Sequence, residues 1–219
     1  MRAILIDWLV EVHFKLNLKI ETLYLTIWII DTFLSYKIIK RSRLQLVGTA
    51  SLLISCKYND IYYPNVFEFI KLTDNSYKKS ELLDMEKQIL EVMKFNMCIP
   101  TSIHFYQIIS NFFELDEKLL NLGKYFLENA LLDYDMLKFS PSILAISSIY
   151  IIMKYSCSKN YKYLYKIHYF IPKKILKKTI IDCSKKICLG VKNLSKSNLQ
   201  NIKKKYSLKQ YFCVTNFCE

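Results

Sequence analysis

The chain has 219 residues, of which 52% are hydrophobic and 15% aromatic, enough apolar surface for one large core or two modest ones. This composition excludes a disordered chain. The net charge of +13 is unevenly placed, because residues 1–150 carry 16 Lys and Arg against 17 Asp and Glu, whereas residues 151–219 carry 16 against 2. The last third is therefore strongly basic, and the rest is close to neutral.

The spacing of apolar residues and helix breakers predicts an all-α protein. Only three Gly and four Pro are present, and each Pro falls where a helix can begin, while hairpin signals such as Asn-Gly are absent. We expect two groups of five helices, one in residues 1–98 and one in residues 99–219. The predicted helices are 1–16, 21–35, 44–58, 66–72, 80–95, 102–113, 117–134, 141–155, 172–191 and 197–206.

The first predicted helix has apolar residues on two opposite faces. One face carries Met1, Ile4, Leu5, Trp8 and Val12, and the other carries Ala3, Ile6 and Val10. One face can enter the core of its own domain. The other is either buried elsewhere in the protein or meets a partner.

The third predicted helix, residues 44–58, is apolar nearly all round and rich in small residues, which is typical of a helix buried among others. Its sequence is repeated 97 residues later: residues 143–155 align without a gap on residues 46–58, and Lys154 falls under Lys57. At the same offset Glu128 falls under Asp31. This similarity predicts a duplicated helical unit, unless two apolar helices resemble each other by chance.

Catalytic motifs are not found in the sequence. The three histidines lie far apart, and no metalloprotease, nucleophile-elbow, dinucleotide-binding or Walker motif is present. We therefore expect a binding protein without enzymatic activity, cofactor or metal. The seven cysteines lack a C-x-x-C pair and predict reduced thiols of an intracellular protein, and no apolar run is long enough to span a membrane.

Two charged residues stand out because their helical neighbours are apolar. Glu86 shares a stripe of the fifth helix with Leu82 and Met85, and Lys57 ends the buried third helix. Packing of these helices side by side would let Lys57 and Glu86 face each other or clamp a docking partner. Alternatively, Lys57 is a favourable charge at a helix C-terminus and Glu86 faces solvent. In the second unit Cys183 takes the position of Glu86.

Four segments resemble the cyclin box of A- and B-type mitotic cyclins. They are MRAILIDWLVEV at the start, LQLVGTASLLISCKYNDIYYP, MEKQILEVMKFN, and KKKYSLKQYFCV near the end. The resemblance implies two tandem five-helix cyclin boxes and a regulatory subunit that binds and activates a cyclin-dependent protein kinase. Such a protein works in the nucleus and cytoplasm.

The resemblance also assigns residues. It implies a cyclin-box core that includes Arg2, Asp31 and Leu46, and kinase contacts at Lys57, Tyr58, Glu86, Leu90 and Phe95. It further implies a patch that receives Arg-x-Leu motifs of substrates or inhibitors, made of Met1, Ile4, Leu5, Trp8, Glu11, Leu44 and Gln45.

The basic last third favours an alternative, a nucleic-acid-associated adaptor built on the same double-cyclin fold, as in proteins like transcription factor IIB. A third possibility is a degenerate cyclin that acts as a scaffold without activating a kinase. A lysine-rich surface that simply faces solvent explains the same charge without any partner.

Overall fold

The computed structural model describes residues 1–113, 115–155, 175–194 and 197–217. Helices dominate these residues, and no strand occurs among them, which confirms the predicted all-α fold. The helices are α1 (Arg2–Lys15), α2 (Ile20–Tyr36), α3 (Leu44–Asn59), α4 (Val66–Leu72), α5 (Lys79–Met93), α6 (Ser102–Phe112), α7 (Glu117–Leu132), α8 (Pro141–Tyr155), α9 (Ile175–Leu194) and α10 (Asn201–Tyr206).

Several helix ends differ from the sequence prediction, because local hydrogen bonds decide them. Helix α5 begins at Lys79 and not at Ser80, since the Glu81 carboxylate accepts the Lys78 N–H at 3.0 Å. Helix α7 ends at Leu132 because the Asp133 carboxylate accepts the Asp135 N–H at 2.9 Å and starts a short 3-10 segment, Tyr134–Lys138. Helix α10 begins four residues later than expected. The expected start of α9 at residue 172 lies outside the described residues.

The chain divides into two compact units. One contains Met1 and Trp8–Thr101, and the other contains Arg2–Asp7 and Ser102–Glu219. The first two turns of α1 therefore cluster with the second unit, which spacing in the sequence did not indicate.

In the first unit α3 is the central helix. It contacts α2, α4 and α5, and every residue from Leu46 to Cys56 is buried. The hydroxyl groups on this helix bond within it: Thr49 Oγ1 donates to the Gln45 carbonyl at 2.8 Å, and Ser55 Oγ to the Ser51 carbonyl at 2.9 Å. Small side chains that satisfy their own polar groups let neighbouring helices approach on all sides.

Helix α8 has the same position in the second unit. It contacts α6, α7 and α9 and buries Ala145–Ile149 and Ile151–Met153. Its serines bond to its neighbours: Ser148 Oγ donates to the Gly123 carbonyl at 3.0 Å, and Ser184 Oγ of α9 donates to the Ser147 carbonyl at 3.3 Å. The predicted repeat thus corresponds to two central helices in two units.

Gly123 permits the close approach of α6 and α7. A Cβ atom at this position would overlap the ring and hydroxyl of Tyr106, which is fully buried and donates to the Leu120 carbonyl at 2.8 Å. Burial raises the pKa of Tyr106, so its hydroxyl stays protonated and keeps this donor.

The cysteines of the described residues agree with the expected reduced thiols. Cys56, Cys98, Cys183, Cys188 and Cys213 form no disulfide. Burial, with a smaller contribution from Asp60, raises the pKa of Cys56 to about 12, and burial raises the pKa of Cys183 to about 11. Both thiols are protonated at neutral pH and act as small apolar side chains.

A buried ion pair attaches α10 to α7 in the second unit. Lys205 Nζ and the Tyr206 hydroxyl both donate to Glu128 Oε1 at 2.7 Å, and the side chains of Lys205 and Glu128 are 5% and 0% exposed. The other end of α10 is held by Asp7, whose Oδ2 accepts from Asn201 Nδ2 at 2.8 Å. Nearby, Arg2 Nη1 donates to the Leu131 carbonyl at 2.8 Å.

Removing one partner of this ion pair leaves the other charge buried. We expect E128Q and K205M each to lower the free energy of unfolding by about 3 kcal/mol or more. The double variant E128Q/K205M should lose clearly less than the sum of the two, since neither charge then remains uncompensated. Urea unfolding of the four proteins measures the coupling, and strictly additive losses would contradict the ion pair.

Candidate docking site

The end of α3 carries the acid–base pair that the sequence singled out. Lys57 Nζ lies 2.7 Å from Glu86 Oε1 of α5, so the expected pairing is present. The Glu86 side chain is 12% exposed and that of Lys57 is 38% exposed. Leu82, Met85 and Ile89 of α5 point into the core, and Glu86 lies at the edge of this buried stripe. The pair is therefore partly shielded from water but accessible from one side.

Large apolar side chains lie close to this pair along α3, α5 and the turn after α5. Tyr58 is 53% exposed and Phe95 is 71% exposed, and Leu90 is half-buried one turn after Glu86. We call Lys57, Tyr58, Glu86, Leu90 and Phe95 the α3–α5 face. Large exposed aromatic residues beside a fixed charge pair are typical of interaction sites.

The turn after α5 determines where Phe95 points. Lys94 and Phe95 both have left-handed backbone conformations, with φ of 50° and 56°. The Phe95 N–H bonds to the Leu90 carbonyl at 3.1 Å, which closes the turn. Such a conformation costs a side-chain-bearing residue about 1–2 kcal/mol, so the packing of the unit must hold it in place.

Tyr58 is linked to the segment that follows α5. Its hydrogen bond to the Cys98 thiol, together with the charge of that group and partial desolvation, raises the pKa of Tyr58. The tyrosine is therefore neutral at physiological pH and offers a hydroxyl and an aromatic ring to a partner.

Asp60 fixes the end of α3 through contacts with the start of α2. Its carboxylate accepts the Lys19 backbone N–H at 3.0 Å and the Thr22 hydroxyl at 2.6 Å, at the start of α2. Lys19 Nζ in turn donates to the Asn59 carbonyl at 2.8 Å. About 40 residues separate these partners in the sequence, so no local motif reveals the contact. It ties the turn that carries Lys57 and Tyr58 to the body of the unit.

Replacing Asp60 should loosen this turn. We expect D60A to lower the free energy of unfolding by about 1–2 kcal/mol, because α2 loses the acceptor at its first turn. Chemical denaturation measures the loss, and amide exchange should rise at residues 57–60. D84A, which removes an exposed carboxylate of α5, is the matched control and should change neither quantity. Equal stability of D60A and D84A would contradict this role.

The residues expected to receive Arg-x-Leu motifs have unequal exposure. Met1 and Ile4 are 53% and 57% exposed. Trp8, Glu11, Leu44 and Gln45 are half-buried, and Glu11 Oε1 lies 2.8 Å from Lys15 Nζ. Leu5 is only 6% exposed and Val12 only 3%. Leu5, Leu9 and Val12 form one buried stripe of α1, so Leu5 offers little surface to a motif and its place in the patch stays a prediction.

The residues that the resemblance assigned to the core also differ in their surroundings. Leu46 is fully buried in α3. Arg2 is half-buried and bonded to the Leu131 carbonyl, and Asp31 is half-buried in α2. Their place in the family's core stays a prediction.

In the described part of the chain, no group of three or more His, Cys, Asp or Glu residues is placed to hold a metal ion. None of the described helices is both long and apolar enough to cross a membrane. The described residues define a class of all-α proteins with two helical units, each built on a buried central helix, and the first unit carries a partly shielded charge pair at the end of that helix.

Comparison with protein families identifies the class. The family model of the cyclin N-terminal domain matches residues 1–98, and that of the cyclin C-terminal domain matches residues 100–219, more than half of the chain. The chain therefore belongs to the cyclin family.

Among curated proteins, the similar ones include mitotic cyclins. Cyclin-B2-1 of Arabidopsis thaliana is 36% identical over 214 residues, which cover 96% of this chain and 48% of that protein. The G2/mitotic-specific cyclin-B of Dictyostelium discoideum is 34% identical over 206 residues, covering 94% of this chain and 47% of the relative. The chain thus spans about half the length of these relatives.

Solved structures share the fold at low sequence identity. A viral cyclin from herpesvirus saimiri superposes with a TM-score of 0.67 at 18% identity, covering 99% of this chain and 83% of the viral one. A chain of the yeast RNA Pol II CTD kinase CTDK-1 complex gives a TM-score of 0.66 at 14% identity, with 97% and 67% covered.

Proposed function

We propose that the chain is a regulatory cyclin of mitotic type that binds and activates a cyclin-dependent protein kinase. Its membership in the cyclin family and its similarity to B-type cyclins support the proposal. The observation that carries it is the α3–α5 face, where the Lys57–Glu86 pair lies beside the exposed rings of Tyr58 and Phe95.

The proposed mechanism is a shift between two kinase conformations. The α3–α5 face contacts the αC helix of the kinase and favours the inward position, in which the kinase's own Lys–Glu pair and activation loop are placed for phosphoryl transfer. The cyclin supplies no catalytic group. Shifting the ratio of active to inactive kinase from 1:99 to 99:1 requires that the cyclin bind the active state more tightly by about 5.5 kcal/mol. A preformed face contributes here, since little conformational entropy is lost on docking.

Exchanging the charges of Lys57 and Glu86 separates the effect of the pair on kinase binding from its effect on stability. K57E and E86K each break the pair, whereas K57E/E86K restores it with the charges in swapped positions. We expect the double variant to regain the unfolding free energy of the parent but to bind the kinase at least tenfold more weakly, because its charges face the kinase with the wrong sign.

The measurements are kinase affinity and phosphorylation of a histone-type substrate across a panel of purified cyclin-dependent kinases. K178E, on the exposed surface of α9, is the control and should leave both unchanged. Full recovery of binding in the swapped variant would show that the pair is purely structural. Failure of the folded parent to bind any of the kinases would refute the proposal, and binding without stimulation would identify a scaffold.

We further propose that α1 and the start of α3 recruit substrates that carry an Arg-x-Leu motif. Met1 and Ile4 offer exposed apolar surface, and Trp8 and Leu44 are half-buried beside polar Glu11 and Gln45 in the sequence. A carboxylate suits the arginine of such a motif, and the apolar side chains suit its leucine.

Placing a charge on this apolar surface should weaken recruitment selectively. With the activated kinase, I4D should raise KM severalfold for a substrate that carries an Arg-x-Leu motif and leave KM unchanged for the same substrate without it. I38D places the same charge at Ile38, a fully exposed isoleucine outside the patch, and serves as the control. Equal KM values for the two substrates in the parent protein would rule out this patch.

A further inference from the structure

A groove with a volume of about 560 Å³ opens between α8 and α9 of the second unit. Its apolar surface comes from Tyr150, Ile151, Ile181 and Leu189, and Leu189 is 58% exposed. Lys154, Lys185 and Lys192 surround this surface, and all three are exposed. The volume falls within the range of about 300–1,000 Å³ that is usual for ligand pockets.

The two helices hold the groove open in a defined way. They are joined through small residues: Ser147 Oγ donates to the Ile180 carbonyl at 3.4 Å, and Ser184 Oγ donates to the Ser147 carbonyl at 3.3 Å. On α8 the groove lies one to two turns beyond Ser147, and on α9 it runs from Ile181 and Ser184 to Lys192. Its walls are therefore regular helices fixed at one end by direct contact.

The groove is strongly basic. Its described lining contains three lysines and no acidic residue. Cys188 also lines it, and burial raises the pKa of this thiol despite the opposing effect of Lys192 and Lys154. The thiol is therefore neutral at physiological pH and does not offset the lysines.

The repeat shows how this surface differs from its counterpart in the first unit. Lys154 is equivalent to Lys57, which bonds to Glu86. The position equivalent to Glu86 is Cys183, which is fully buried. Helix α9 therefore places no carboxylate where α5 does, and Lys154 lines the groove at the end of α8.

We infer that the α8–α9 groove binds an acidic amphipathic segment of a partner protein. Large apolar side chains of the segment cover the half-buried Tyr150 and Ile181 and the exposed Leu189, and its carboxylates meet the three lysines. An amphipathic helix in a hydrophobic groove is an established mode of peptide recognition. Nucleic acid fits less well, because phosphates would leave the apolar floor exposed and the described lining has no arginine.

A designed peptide tests this inference without knowledge of the natural partner. The probe is a fluorescein-labelled helical peptide with Leu at positions i, i+3 and i+7 and Glu at the flanking positions. Fluorescence anisotropy with the full chain should show saturable binding that weakens with salt. The same peptide with Lys in place of Glu should not bind.

Two matched double variants locate the site. K185E/K192E reverses two charges of the groove, and K204E/K209E reverses two exposed charges outside it. We expect at least a tenfold rise in Kd for the first and no change for the second. L189S should weaken binding without altering the charge. Thermal melts confirm that each variant is folded.

Three outcomes would overturn the inference. The first is absence of binding by the acidic peptide, and the second is equal binding by all variants. The third is that a DNA or RNA oligonucleotide displaces the peptide and that both double variants weaken the binding of the oligonucleotide equally. The last result would assign the basic surface to nucleic acid. Kinase stimulation by K185E/K192E should equal that of the parent, so failure here and failure of the proposed kinase docking are distinguishable.

Discussion

The burial of residues 46–56 of α3 is the constraint on which the first unit depends. A helical segment enclosed on all sides must consist of small and apolar residues, so a charge is tolerated only where the helix leaves the core. Lys57 stands at that place, and α5, which covers α3, supplies Glu86 at 2.7 Å. The charge pair of the α3–α5 face is thus a direct result of how the core ends. Asp60 then holds this end against α2 and limits the freedom of Lys57 and Tyr58.

The second unit uses the same plan with a different distribution of charge. Its central helix, α8, is also enclosed by other helices. The buried carboxylate of this unit belongs to Glu128 of α7, which binds Lys205 and Tyr206 of α10. The surface between α8 and α9 keeps its lysines around an apolar floor. The two units therefore differ in charge although their central helices are similar, because Cys183 stands at the position of Glu86 and α9 places no carboxylate there.

A rigid central helix also connects the two surfaces proposed for the first unit. Leu44 and Gln45 stand at its first turn, within the proposed substrate patch, and Lys57 and Tyr58 stand at its last turn, within the α3–α5 face. Because the residues between them are fully buried, the helix has little freedom to bend, and the two ends keep a constant separation. A kinase bound at one end and a substrate bound at the other would therefore be held by the same rigid helix.

The sequence by itself determined the all-α class, the approximate positions of the helices and the repeated central helix. Periodicity, helix breakers and apolar neighbours are local signals, and they suffice for these features. They left open whether Lys57 pairs with Glu86, and the packing of α3 against α5 decided it. Only the tertiary structure decided the roles of Asp60 and Glu128, the burial of Leu5 and the groove between α8 and α9. Each depends on residues far apart in the chain: the Asp60 contacts span about 40 positions, and the Glu128–Lys205 contact spans 77. A helical wheel shows which faces are apolar, but only packing determines which neighbour covers each face.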